Sequence, residues 1–216
     1  MSIRDDLLAV ERRIADACAR AGRRRGEVTL VAVSKTKPAA MIDEAIAAGI
    51  AEVGENRVQE ARDKKPLVRG SARWHLIGHL QSNKAKDAIR LFDVIQTIDS
   101  VELAEKVARA AGSAGKVQEV LIEVNIGNEP QKSGAARADV ETLAKNIASI
   151  EALHLRGLMA IPPAEGARRW FGELRALRDA IGLAELSMGM TDDFETAIEE
   201  GATIIRVGRA IFGERG

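Results

Sequence analysis

A lysine standing just past a strongly apolar run has a chemistry that its neighbours lack. In Leu30–Pro38 (LVAVSKTKP), strict alternation puts Val31, Val33 and Lys35 on one face of a strand. If that face points into a protein interior, holding the charged ammonium there is costly, and the side chain is driven toward the nucleophilic amine. A lysine that simply snorkels to solvent, as its neighbour Lys37 could, fits the same pattern. Near the other end of the chain stand two glycine-containing turns, Ser187-Met188-Gly189-Met190-Thr191 and Arg206-Val207-Gly208-Arg209. Gly189 and Gly208 allow a ligand to approach the backbone closely, and Ser187 offers a hydroxyl donor, the makings of a phosphate cradle. Ordinary loop glycines and a helix cap would read alike. An amine facing such a cradle suits a phosphorylated aldehyde held as a Schiff base, with pyridoxal 5′-phosphate (PLP) the leading candidate.

These residues need a scaffold, and the hydrophobic pattern supplies one. Eight β-like runs are predicted, at 28–34, 51–54, 73–77, 94–98, 119–126, 153–159, 185–188 and 203–207. They begin about 25 residues apart on average, and helical stretches separate them. Residues 38–48 are one such stretch, with Met41, Ile42, Ala45 and Ile46 on one side and Gly49 as its stop. That rhythm predicts a (β/α)8 barrel of the α/β class, whose chemistry collects at the C-terminal ends of the strands, where Lys35 and both turns fall. A doubly wound open sheet is the alternative, since periodicity does not reveal closure. Leu7, Val10, Ile14 and Ala17 form a stripe that predicts an extra N-terminal helix capped by Ser2. Nothing resembles a linker, so residues 1–216 are expected to form a single domain.

Composition narrows the function. Apolar residues make up 46% and charged residues 30%, enough for a packed core. Thirty-two basic residues balance thirty-two acidic ones, and the longest basic run is Arg23-Arg24-Arg25, so nucleic acid and anionic lipid are not expected partners. The single Cys18 excludes an internal disulfide and any multi-cysteine metal site. No apolar run nears the ~18 residues of a membrane span, and a cytoplasmic protein is expected. No two glycines are separated by a single residue, so the dinucleotide motif G-x-G-x-x-G cannot occur. P-loop, G-x-S-x-G and H-E-x-x-H patterns are also missing, and His75, His79 and His154 make zinc chemistry a poor reading.

The segments VAVSKTKP, GENRVQEARDK, WHLIGHLQSNK, GLMAIPP, SMGMTDDFETAIEEGAT and RVGRAIFGER, in that order along nearly the whole chain, resemble the YggS/PROSC family of pyridoxal phosphate homeostasis proteins. The resemblance implies a barrel like the N-terminal domain of alanine racemase. It implies that Lys35 carries the cofactor as a Schiff base, and that Ser187, Gly189, Gly208 and Arg209 hold its phosphate, mostly through backbone N–H groups. Arg206 falls where related racemases place the arginine that contacts the pyridine nitrogen, while Asn56 and Met159 match positions lining the same pocket. Arg209 departs from the threonine or serine that relatives often carry there. His79 lies in a segment typical of the family, and a structural cap for its loop is the expected role.

The resemblance also bears on catalysis. An arginine at the ring nitrogen leaves that nitrogen unprotonated and the ring a weak electron sink. Racemases with this arrangement add a tyrosine from a second domain, whereas these 216 residues contain no tyrosine and no second domain is expected. A non-catalytic carrier and buffer of PLP is therefore the expected function, with PLP-dependent apoenzymes as conceivable recipients and a monomer as the expected state. A racemase-like PLP enzyme and a cofactor-free Schiff-base aldolase are the alternatives.

Overall fold

The computed structural model describes residues 2–163 and 165–214. Eight strands close into a parallel barrel: β1 (Thr29–Val33), β2 (Glu52–Glu55), β3 (Arg73–Leu76), β4 (Val94–Ile98), β5 (Gln118–Asn125), β7 (Leu153–Met159), β8 (Glu185–Ser187) and β9 (Ile204–Val207). Closure is decided at one seam, where Thr29 pairs with Ile204 and Val31 with Arg206, and this removes the open-sheet alternative. The strands lie within two residues of their predicted bounds. The pattern missed β6 (Ala135–Ala136), a two-residue addition beside Val124 and Asn125, which is too short to show any periodicity.

Helices α2 (Ala39–Ala47), α3 (Val58–Lys64), α4 (Ala85–Leu91), α5 (Val101–Ser113), α6 (Val140–Ala148), α7 (Ala167–Ile181) and α8 (Phe194–Glu199) follow successive barrel strands. The helix after β9 is only α9 (Arg209–Phe212), too short to cover the seam. The N-terminal helix α1 (Ile3–Arg20) fills that sector, packing on α8, α9 and α2. Its start is fixed by a capping box in which the Ser2 hydroxyl accepts from Asp5 N–H and the Asp5 carboxylate accepts from Ser2 N–H. Ile3, Leu7, Val10, Ile14, Ala17 and Cys18 are buried beneath it. On its outer side, Arg13 pairs with Glu195 at 2.6 Å and Arg20 with Glu199 at 2.8 Å.

Most apolar side chains pack between strands and helices, with Trp74, Phe92, Phe171 and Phe194 the largest that are fully buried. Inside the barrel the apolar layer is thin: Val31, Val94, Leu121, Met159 and Ile204. Below it, at the N-terminal ends of the strands, charged residues form a floor in which Arg73 bridges Glu52 and Glu119, and Arg156 bridges Glu119 and Glu185. Among the described residues, no helix is long and apolar enough to cross a membrane.

Candidate functional site

A cavity of about 530 Å³ opens at the C-terminal mouth of the barrel, and Lys35, Asn56, Ile77, Arg206, Gly208 and Arg209 are among its lining residues. The size suits a small-molecule cofactor. Lys35 lies two residues beyond the end of β1, Asn56 one beyond β2, and Gly208 and Arg209 directly after β9. Val31 lies in the interior cluster and Val33 and Lys35 line the cavity, so the alternation read from LVAVSK holds in three dimensions.

Arg206 is the electrostatic centre of the site. It is 3% exposed, and burial pushes its guanidinium down to about 10, while the carboxylates of Glu123 and Asp193 act the other way, so it remains charged at neutral pH. Nη1 donates to Ser187 Oγ at 2.6 Å and Nη2 to the Ala160 carbonyl at 2.9 Å. An arginine can only donate, so the Ser187 hydroxyl accepts from it and donates onward to Gln96 Oε1 at 2.6 Å. The Gln96 amide therefore presents Nε2 to His75 Nδ1 at 2.8 Å, which must be the unprotonated ring nitrogen. His75 Nε2 then donates to Glu52 at 2.6 Å, ending the chain at the charged floor. Five side chains thus form a one-way relay of hydrogen bonds through the barrel, starting at an arginine that lines the cavity.

The loop after β8 is held just as closely. Gly189 has φ +90°, and a Cβ there would stand 2.5 Å from the Ala197 Cβ and 3.0 Å from the Phe194 Cα. Its carbonyl accepts from Arg206 N–H at 3.0 Å, tying the two turns together. Asp193 accepts from Met190 N–H at 2.6 Å, and burial raises its carboxyl above the usual range. A Cβ on Gly208 would lie 3.1 Å from the Val33 carbonyl. Arg209 forms an ion pair with Asp192, which also lines the cavity.

Several expected residues fall elsewhere. The Ser187 hydroxyl, read as a phosphate donor, is fully buried and committed to Gln96 and Arg206, because the inward face of β8 directs it into the barrel. Met159 is fully buried in the interior apolar cluster, and Gly189 acts behind the cavity wall. His79 is no cap: Ser82–Lys84 and α4 both begin without a side-chain cap, and His79 instead stands 3.8 Å from Asp99. Asn56 lines the cavity with its buried Oδ1 unpaired among the described residues. Sequence reasoning missed Glu52, His75 and Gln96. Their signal was a polar residue at the inward position of three successive strands, legible only once closure makes that face an interior.

The cavity fits a PLP-like group on the structure's own terms. It combines a lysine, an orphaned amide oxygen, a buried cationic donor and Gly208, where a side chain would crowd the Val33 carbonyl. The family model for the alanine racemase N-terminal domain matches residues 6–216. A pyridoxal phosphate homeostasis protein from Pseudomonas aeruginosa is 42% identical, with 99% of this chain and 96% of that one covered. A structure of a protein of unknown function from Bifidobacterium adolescentis superposes with a TM-score of 0.91 at 40% identity, covering 97% of this chain and 94% of that one. PipY of Synechococcus elongatus, solved with PLP bound, gives a TM-score of 0.83 at 39% identity, with 93% and 100% covered. With the barrel, its cavity and these relatives in agreement, the chain belongs to the YggS/PROSC family of pyridoxal phosphate homeostasis proteins.

Proposed function

We propose that this protein binds PLP in the barrel mouth, carries it on Lys35, and serves intracellular PLP homeostasis without catalysing a reaction of its own. The observation that carries the reading is the meeting of Lys35 and the buried Arg206 in one cavity bordered by Gly208 and Arg209. The relatives' names and the PLP-bound PipY structure support it. When bound, the cofactor supplies an aldehyde that condenses with an amine and a ring that can withdraw electrons.

The chain's own residues have distinct parts. Lys35 supplies the amine. Gly208, Arg209 and the loop fixed by Gly189 offer backbone N–H groups to the phosphate, while Ser187 acts through Arg206. Arg206 would donate to the ring nitrogen without yielding a proton, which would keep the ring a weak electron sink. Asn56 Oδ1 provides an acceptor at the cavity wall, and Met159 packs beneath. The sequence contains no tyrosine to act as a second acid or base, which leaves the racemase reading with Lys35 as its only evident base. Residues 1–216 act as one PLP-binding domain in the cytoplasm, a monomer that releases its cargo to PLP-dependent apoenzymes.

Borohydride reduction followed by peptide mapping tests the assignment: a pyridoxyl group is expected on the Lys35 peptide, and Lys35→Ala should lose the visible absorption band. A full band in Lys35→Ala overturns it. The carrier reading is tested separately by α-proton exchange and chiral analysis of L-alanine. Turnover of ~1 s⁻¹ or faster, the low end of typical enzymes, would replace carrier by catalyst.

A further inference from the structure

Behind the cavity wall, Lys64 at the end of α3 is 8% exposed and gathers three groups. Its Nζ donates to the Ser34 carbonyl at 2.8 Å, to Glu55 Oε1 at 2.6 Å and to Glu60 Oε1 at 2.8 Å. Glu55 Oε1 also accepts from the Ser34 hydroxyl at 2.6 Å, and Glu60 Oε1 also accepts from Thr36 N–H. One lysine and two carboxylates therefore hold the residue before Lys35 and the residue after it.

The backbone at that point needs holding. Thr36 has φ +66°, one of two non-glycine residues with positive φ among the described residues. A β-branched side chain is strained there and persists only where its surroundings over-determine it. Strain next to a reactive side chain, clamped on both sides, fixes the direction in which that side chain leaves the strand. Burial raises the Glu55 carboxyl, whereas Glu60 is lowered because bonds from Lys64 and Thr36 N–H outweigh its burial, so the outer carboxylate stays ionised to hold the turn.

We propose that Lys64, with Glu55 and Glu60, forms a positioning cluster that aims Lys35 into the cavity and sets how fast it captures an aldehyde. This rests on the reading of Lys35 as the PLP-carrying lysine. In that capture the neutral amine and the aldehyde form one C=N bond and release one water, with no oxidation or reduction. The cluster touches none of the reacting atoms. It holds the amine near its attack geometry, where misplacements of about 1 Å are felt as rate.

The test adds PLP to the cofactor-free protein and follows the visible band, with urea unfolding and binding of pyridoxine 5′-phosphate, which lacks the aldehyde, measured alongside. Glu60→Ala should slow band formation on the order of tenfold or more while pyridoxine 5′-phosphate affinity changes less than about twofold. Glu60→Gln keeps an acceptor oxygen for Thr36 N–H and should recover most of the rate. Lys64→Met should be slower still, and if it fails to fold, the Glu60 pair decides alone. Wild-type rates in Glu60→Ala, or a loss that merely parallels weaker pyridoxine 5′-phosphate binding, overturn the cluster's role. Failure of the wild type itself to form the adduct on Lys35 overturns the proposed function as well, which separates the two.

Discussion

The guanidinium of Arg206 and the hydroxyl of Ser187 are 2.6 Å apart, and both lie wholly inside the barrel. The serine thus holds the arginine's orientation from inside the barrel. Ser187→Ala leaves one buried donor and the Gln96 oxygen without partners, at a cost of about 1–3 kcal/mol. For a chain of this size, that lowers the melting temperature by roughly 2–12 °C. The preference for PLP over pyridoxal should survive. Calorimetry and parallel titrations of the two vitamers check this, and a collapse of the preference would return Ser187 to the phosphate cradle.

Gly189→Ala is expected to be worse than its size suggests. At φ +90° and 2.5 Å from the Ala197 Cβ, the added methyl has to displace the loop or α8. Strain of this kind costs about 1–3 kcal/mol, and the displaced loop should bind phosphate more weakly. Urea unfolding and PLP titration together are the measurement. A variant with wild-type stability would show that the turn tolerates a side chain.

Glu123 gives a pH signature. Burial raises its carboxyl, only partly offset by the hydrogen bond from Ser133, and its Oε2 is unpaired among the described residues. The folded state therefore holds this proton more tightly than the unfolded chain does. The group's stabilising effect is complete below the ordinary glutamate value of about 4.3 and is lost as pH rises through the raised one. Glu123→Gln removes that loss, so its stability relative to wild type should improve from about pH 4 to pH 7. Urea titrations at several pH values will show it, and a difference that does not vary with pH would contradict it.

The N-terminal helix is expected to behave as part of the barrel. Ile14 is fully buried beneath α1, and Ile14→Ala should cost about 2–5 kcal/mol. Because α1 packs on α8 and α9, the same variant should weaken PLP binding in proportion to unfolding and no further. A loss of affinity beyond the fraction unfolded would show coupling to the site itself.

The sequence was most legible where a local rule was at work. Apolar runs bounded by turn residues gave the strands, and the stripe from Leu7 to Ala17 gave α1. The end of β1 gave Lys35 its place at the cavity. The type of Ser187 suits both a phosphate and a barrel interior, and only its register beside Met159 and Ile204 shows that its hydroxyl is buried against Arg206 and Gln96. The relay of Glu52, His75 and Gln96 joins residues 21 to 91 positions apart, for which no spacing rule exists. Lys64 was likewise hidden, since on α3 it reads as an ordinary charged residue until Ser34 and Glu55 are brought beneath it.

The helix that fills the gap at the seam has a consequence for how the chain is made. Arg13 and Arg20 find their partners at Glu195 and Glu199, and β1 its second neighbour only at Ile204. On the ribosome, α1 and β1 emerge long before α8 and β9, with which they pair. Until then β1 presents an open edge, and the apolar stripe of α1 has only α2 to cover. Closing so long a loop delays the final step of folding and leaves a nascent barrel adhesive for most of its synthesis. Chaperone dependence should accordingly be greatest for chains that have passed β8 but not yet released β9.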